Sequence, residues 1–581
     1  MTPSIIKSKL TTITLLLPVI LTAQQTINQD VRVVREYTPT ISDATKMDQM
    51  PVLDDTSTYR PVFRYSILSR PIETPGKIDP ISPARLNAER APMVTNTRIK
   101  AGAGLNNSLM GEIDYNMPAS KDYQLGLSLR QHSSWGKVTH ENSREADAPL
   151  HETFVGANVK RFFTGTTLTS HIDYKRRGYE YYGMETFDTL QNYWIPNHND
   201  PIKGNDLKVN SAQYTSQFSM GLGLNNRATA SDDFQWNGNI DFSSFGNKTG
   251  VKQNQLDLAG HIYTPAGNLY FAADLDMNFY KVSTPDTIGP MYSFDDRQIS
   301  LVKALPRLGY NFGNGYVEGG LLLISEMGRD DDEMRAAPHL YAQLDVAQGI
   351  VSLFGGMTGQ LNRNDYATMQ FSNPFISPDV NIQSSFYGMN LLGGIKGNFS
   401  SAASFSAKVE YSIFNDEHFF VNNSYERVSN GTRDYVNRFG VVYDDGSLLK
   451  LGGEMLITPL KMLSVKLSGN YYAWELDALA NPYHKPNVDL GLGVNIKATD
   501  DLHISTNVTY VGQRKALLNT LIPVEKNLDA MVDINIGIRY DYTRSWSFWA
   551  QLDNLAARQY YQWYGYPSYK VHAMAGATFC F

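Results

Sequence analysis

From about residue 97 to the C-terminus, apolar and polar positions alternate with a period of two in one segment after another. Leu269, Phe271, Ala273, Leu275, Met277 and Phe279 interleave with Tyr270, Ala272, Asp274, Asp276, Asn278 and Tyr280. Phe405, Ala407, Val409, Tyr411 and Ile413 interleave with Ser406, Lys408, Glu410 and Ser412. Val488 to Lys497 and Leu502 to Tyr510 repeat the pattern, and Val532, Ile534, Ile536 and Ile538 against Asp533, Asn535, Gly537 and Arg539 show it most cleanly. Successive side chains of an extended strand point to opposite faces, so each segment has one greasy face and one polar face. The segments run roughly 10 to 14 residues, beyond the five or six usual in globular sheets. A soluble sandwich also alternates; length, and repetition without an intervening helical pattern, separate the two. The pattern predicts an all-β fold, a transmembrane antiparallel β-barrel of about 22 strands. Asp274, Asp276, Lys408, Glu410, Asp533 and Arg539 are then expected to line its lumen.

The connections support this. Phe163-Thr164-Gly165, Pro265-Ala266-Gly267-Asn268, Gly313-Asn314-Gly315, Gln348-Gly349 and Thr499-Asp500-Asp501 read as short turns. Longer polar loops are expected at about 133–150, 178–211, 284–296, 364–385, 415–438, 514–527 and 556–568. Short periplasmic turns alternating with long extracellular loops are the asymmetry of an outer-membrane barrel, and an even strand count puts both chain ends on the periplasmic side. Two stretches resist a single reading. Pro306 interrupts the ladder within 297–312. Tyr443-Asp444-Asp445-Gly446 reads either as a hairpin or as a bulge in one long strand.

Composition narrows the class. The chain has 581 residues with Tyr 35, Phe 26, Trp 7 and Gly 45, which suits strands, tight turns and interfacial girdles. No apolar run after the N-terminus approaches the ~20 residues a spanning helix needs. A net charge of -7, spread along the chain, argues against a nucleic-acid partner. Residues 1–23 read as a secretory signal: Lys7 and Lys9, an apolar stretch from Leu10 to Leu21, and small residues up to Ala23. Cys580 stands alone, so there is no disulfide framework. Gly576, Phe579 and Phe581 form an aromatic-ended last strand, the kind read by the barrel-assembly machinery.

The closing stretch resembles that of TonB-dependent receptor barrels. Leu552-Asp553-Asn554-Leu555, Tyr560 and Gly565-Tyr566-Pro567 are similar to the family's final hairpin, and Thr509-Tyr510-Val511-Gly512-Gln513-Arg514 is similar to a late strand. Tyr181-Tyr182-Gly183, Asn373-Pro374-Phe375 and Tyr443-Asp444-Asp445 resemble the receptor-like barrels common in Bacteroidota. The resemblance covers 97–581 and implies 22 strands, outer-membrane lipid around them, and TonB as a partner. Such receptors carry a globular plug ahead of the barrel. Here 24–96 is short and rich in proline, with Pro39, Pro51, Pro61, Pro71, Pro75, Pro80, Pro83 and Pro92. It reads as an extended arm rather than a folded plug, a departure from the family's pattern. Val31, Val33 and Val34 read as a TonB-box-like or docking strand for TonB or a periplasmic or lipoprotein partner, beside the plainer reading of a tether.

A barrel this wide needs a closed lumen. The arm, inward loops or a partner would each serve, and Arg32, Arg35, Arg60, Arg64, Arg70, Arg85 and Arg90 offer the arm charges to pair with a carboxylate-bearing wall. Chemistry is sparse. The eleven histidines are scattered, with no nucleophile motif beside them, and the reading is of a protein that is not an enzyme. No cofactor is implied. The acidic run Asp330-Asp331-Asp332-Glu333 lacks the spacing of a calcium loop and reads as solvated. Tyr179 to Tyr182 and Tyr560 to Tyr566 read equally as a ligand platform at the cell surface or as interfacial girdle. Two functions fit: a receptor-like barrel that binds or transports a substrate, and a non-transporting barrel that scaffolds an envelope-biogenesis or secretion complex through its arm.

Overall fold

The computed structural model describes residues 96–581, apart from 184–211, 227–232, 284–296 and several shorter gaps, among them 329–331, 424–426, 435–437 and 520–522. The predicted signal segment 1–23, and the predicted arm with Val31, Val33 and Val34, lie outside the described residues.

The wall opens with β1 (Thr97–Gly104), β2 (Ser108–Asn116), β3 (Tyr123–Ser134), β4 (Leu150–Phe162), β5 (Thr166–Glu180) and β6 (Ala212–Asn226). It continues with β7 (Gln235–Asn247), β8 (Lys252–Ala266), β9 (Leu269–Ser283), β10 (Arg297–Asn311), β11 (Gly315–Met327) and β12 (Glu333–Ala347). Next come β13 (Val351–Asn362), β14 (Ser385–Ser400), β15 (Ala403–Asn423), β16 (Arg438–Leu460) and β17 (Leu463–Leu476). The last five are β18 (Val488–Lys497), β19 (Leu502–Val511), β20 (Met531–Asp541), β21 (Trp546–Asp553) and β22 (His572–Cys580). Each pairs antiparallel with the next, and β22 closes on β1 from Arg98↔Cys580 to Gly104↔Met574. The sheet has 24 strands; two belong to an inserted hairpin, Arg514–Asn519 with Val524–Leu528, held to β15 only by Asn422↔Leu518 and Asn423↔Asn519. The closed ring therefore has the 22 strands that the alternation predicts. Closure satisfies every edge, the condition for strands to stand in lipid.

One face of the wall is apolar and bare. Ile113, Leu129, Val155, Ile172, Leu222, Ile240, Leu275, Leu321, Leu340, Val409, Leu490 and Ile538 are all exposed on it. The start of β1, the end of β22 and the short turns share one end, where Asn96 and Thr97 donate backbone bonds to the Phe581 carbonyl. That end also carries a girdle of exposed rings on or beside the turns: Tyr123, Phe163, Phe234, Tyr310, Phe312, Phe399, Tyr542, Trp546 and Phe581. Rings at this level suit the interface between hydrocarbon and headgroups.

Both ambiguous stretches resolve. β10 runs unbroken through Pro306, which stands opposite Ala273 of β9, while on the β11 side no pairing occurs at Leu305 and Pro306, where proline has no N–H to give. Tyr443–Gly446 lies inside one 23-residue strand, and the irregularity is a bulge between Phe414 and Glu417 of the facing strand. There Asp416 takes φ 55 and its N–H donates to Asp445 Oδ1 at 2.9 Å. β15 and β16, at 21 and 23 residues, are about twice the ~10 a membrane crossing needs, so they rise well beyond the apolar band. The expected loop at 415–438 is thus mostly strand, and a loop at 477–487 was not anticipated.

Candidate functional site

The 363–384 connection between β13 and β14 does not stand out from the barrel. It folds into a seven-residue helix, α1 (Tyr366–Ser372), capped at its start by Asp365, which accepts from the Thr368 N–H at 2.9 Å. Asn373 ends the helix, donating its N–H to the Met369 carbonyl at 2.8 Å, and Pro374 prevents continuation. The helix lies on a face of the wall several strands away. Asn247 of β7 donates to Gln370 at 2.9 Å, and Gln253 of β8 accepts from the Ala367 N–H at 3.2 Å. Tyr179 of β5 accepts from Gln370 at 3.0 Å and donates to the Pro374 carbonyl at 2.7 Å. Arg363 binds Asp257 of β8 at 2.9 Å and Asp365 at 3.0 Å. A segment rooted between β13 and β14 that reaches β5, β7 and β8 runs as a chord across the ring. The face it lands on, which bears Gln253 and Asp257, is the inner one.

Its far side meets three other connections in one aromatic core. Phe375 stacks on Tyr566 with ring centroids 3.4 Å apart, and Tyr182 meets both edge-on at 5.9 and 5.0 Å. Tyr179, Phe245, Tyr366, Met369, Ile376, Phe420 and Phe439 are buried in the same cluster. Each fully buried ring contributes about 2–3 kcal/mol, with edge-to-face geometry adding somewhat more. Ile376 bridges Phe439 in parallel, with Ser377 N–H to the Phe439 carbonyl at 2.8 Å and Phe439 N–H to the Phe375 carbonyl at 2.9 Å. Tyr179 to Tyr182 and Tyr560 to Tyr566, read from sequence as platform or girdle, here supply the centre of a roof, and burial drives the Tyr566 hydroxyl well above its ordinary range.

A second group of connections completes the roof. Asp444 accepts from the Ala478 and Leu479 N–H groups at 3.0 and 2.7 Å, which pins the 477–487 loop to β16. Arg514 donates to the Tyr561 and Gln562 carbonyls at 2.6 and 2.9 Å. Lys485 pairs with buried Glu417, which also accepts from Tyr387 at 2.8 Å. His484 accepts from the Tyr564 N–H at Nε2, 3.4 Å away. That leaves Nδ1–H to donate to the Phe420 carbonyl at 2.9 Å, so the ring is neutral. Burial lowers the His484 pKa to about 3, with nearby Arg514 acting in the same direction and the Phe420 carbonyl opposing.

The residues singled out on alternating strands stand on the polar face. Asp274 pairs with His261 at 2.5 Å and Arg307 at 2.6 Å, and Asp276 with Lys303 at 3.7 Å. Lys408 pairs with Glu410 at 3.3 Å, Arg539 with Asp541 at 3.1 Å, and Asp533 accepts from Asn535 at 3.0 Å. They occupy three separate arcs, β9, β15 and β20, and do not converge. Gly576 has a steric role. It faces Gly102 across the closing seam, and a Cβ on it would lie 2.0 Å from the Ala101 carbonyl and 2.6 Å from the Trp549 ring. Phe579 stacks beside Trp546 at 4.7 Å on the outer face, and Phe581 is exposed at the turn end. No group of acidic, histidine or cysteine side chains fit for a metal occurs among the described residues. Of the acidic run 329–333, only Asp332 and Glu333 are described.

No family model and no curated protein matches the chain. Solved structures do. The FrpB iron transporter from Neisseria meningitidis superposes with a TM-score of 0.63 at 10% identity, over 84% of this chain and 82% of that one. The siderophore receptor PirA from Acinetobacter baumannii gives 0.62 at 10% identity, over 84% and 80%. A ferric enterobactin receptor (PfeA) mutant from Pseudomonas aeruginosa gives 0.60 at 12% identity, over 84% and 80%. At such identities the likeness is one of fold: a closed antiparallel barrel.

Proposed function

We propose that this protein is an outer-membrane receptor-like barrel that binds a small ligand and admits it through a gate made of its own connections. One observation carries the reading: within a closed 22-strand wall, the 363–384 segment crosses the interior and seals against β5, β7 and β8. A scaffold has no use for a shaped closure built from so many buried contacts, whereas a conduit must be shut at rest. The fold neighbours, by name an iron transporter, a siderophore receptor and a ferric enterobactin receptor, support a transport reading without giving the substrate. Long connections then face the exterior, and the turns, with both chain ends, face the periplasm. The polar face, with Asp274, Asp276, Lys408, Glu410, Asp533 and Arg539, is the water-facing lining. Gly576, Phe579 and Phe581 would serve recognition of the last strand during assembly, and Val31, Val33 and Val34 would dock on TonB or a periplasmic partner.

The test is conductance. The purified full-length protein in planar bilayers should be nearly silent, and removal of 366–377 should produce large open channels. Equal silence in both forms, or recovery of the protein as soluble periplasmic material, overturns the proposal. Stoichiometric co-purification of envelope partners with no ligand-dependent uptake would instead favour the scaffold.

A further inference from the structure

Beneath α1, the strands β2 to β5 lay two rungs of side chains side by side on the inner face. Register puts Glu112, Arg130, Phe154 and Lys175 opposite one another in the first rung. The second runs Met110, His132, Glu152, Arg177. Together with the half-exposed ring of Phe371, which hangs from the helix above, they line a cavity of about 440 Å³. That is the size of a small organic ligand's site.

The charges in this cavity are unequally matched. Glu152 is taken up by Arg177 at 2.8 Å, and Glu112 lies 3.5 Å from Arg98. Arg130 reaches Asp114 only at 3.5 Å and lies 5.7 Å over the Phe154 ring, which leaves most of its fork toward the cavity. Lys175 has Phe154 and Gln217 as its strand neighbours and no carboxylate partner among the described residues. Two cations and walls of Phe154, Phe371 and Met110 ask for a ligand that is anionic at one end and apolar at the other.

We infer that this cavity binds a small organic anion, an aromatic or aliphatic carboxylate or phosphate ester, with Lys175 and Arg130 holding the acid group and Phe371 covering the apolar part. Because Phe371 belongs to the gate, a ligand in the cavity touches α1 from below, and it biases the gate only as far as it favours this sealed arrangement over an open one. The inference deepens the reading of the protein as a receptor and names the substrate class, but the two fail separately.

The experiment is calorimetric titration of the full-length protein in detergent with benzoate, phenyl phosphate, benzylamine and acetate. Benzoate and phenyl phosphate should bind, benzylamine should not, and acetate should bind more weakly for want of an apolar part. Lys175→Gln and Arg130→Gln should each weaken benzoate about tenfold, the loss expected for one charge-assisted hydrogen bond. Phe371→Ala should weaken benzoate while leaving acetate unchanged. Retained heat-modifiable mobility on gels shows that each variant is a folded barrel. Benzylamine binding as well as benzoate, or benzoate binding indifferent to both cation substitutions, overturns the assignment while leaving the gate intact. Benzoate binding without any ligand-dependent uptake by cells would leave the pocket standing and overturn the transport reading.

Discussion

The two ends of this barrel use the same residue types in opposite ways. At the turn end, Phe163, Phe312, Tyr542, Trp546 and their neighbours point outward and remain exposed. At the loop end, Tyr179, Phe375, Phe420, Phe439 and Tyr566 point inward and are buried, with Phe375 stacked at 3.4 Å on a residue far away in sequence. An exposed ring at an interface satisfies itself against headgroups. A buried ring must find protein, and to do so a connection must leave the rim and cross the interior. The girdle therefore requires only local sequence, whereas the roof requires that six connections agree.

Substitutions can break or sharpen that contrast. The seam between β1 and β22 holds both ends together, because every other neighbouring pair of wall strands is joined by the chain itself. Gly576→Val would drive a side chain into the Ala101 carbonyl and the Trp549 ring, where no space exists. Overpacking alone costs about 1–3 kcal/mol, and opened ladder bonds add to it. We expect loss of the heat-modifiable folded form; normal mobility and membrane yield would refute the seam.

Phe375→Ala separates the ends. Removing a ring buried in the roof should cost about 3–5 kcal/mol locally and raise sensitivity of cells to large antibiotics. Detergent-resistant wall structure should persist by circular dichroism. A wall that melts with the roof would show that the ends are one unit.

Asp444→Ala is milder. Two backbone N–H groups of the 477–487 loop lose their acceptor, a loss of about 1–3 kcal/mol. Hydrogen exchange at Ala478 and Leu479 should accelerate while the turn end stays protected. Uniform acceleration around the barrel would count against a pinned loop.

Acid tests the same corner. With a folded-state pKa of about 3 against 6.5 for the free ring, His484 is neutral in the roof, and unfolding of this corner takes up a proton between those values. Its contribution is complete above pH 6.5 and declines progressively as pH falls toward 3. Protease accessibility of 477–487 should rise over that window, and His484→Gln should flatten the dependence. An identical pH profile in the variant would mean that another group titrates.

Tyr542→Ser should have the smallest effect, below about 1 kcal/mol, because an exposed ring loses little. Conductance should not change. A leak from this substitution would erase the distinction between girdle and roof.

Some of the loop end was legible. Asp365 three residues before Thr368, an apolar Tyr366-Ala367 with Met369, and a stop at Asn373-Pro374 are start and stop signals for a short helix in what reads as a polar loop. Nothing near Phe375 says that its partner is Tyr566, and nothing near Asp444 says that it caps a loop more than thirty residues on. His484, with both ring nitrogens engaged, looks in sequence like any other loop histidine.

The period-two alternation determined by itself that the chain is a strand-built cylinder, how many staves it has, and which side chains share a face, because facing in a strand depends only on the parity of position. Strand length and the placement of glycine, asparagine and proline at the turns followed from the same local rules. Tertiary structure alone decided which connection turns inward, why Gly576 must face Gly102 under Trp549, and where Lys175 and Arg130 come together on one cavity wall. Those features join residues hundreds of positions apart, such as Tyr182 with Tyr566, whose rings meet 5.0 Å apart. Contacts of that kind arise only after the ring has closed, so no local pattern along the chain encodes them.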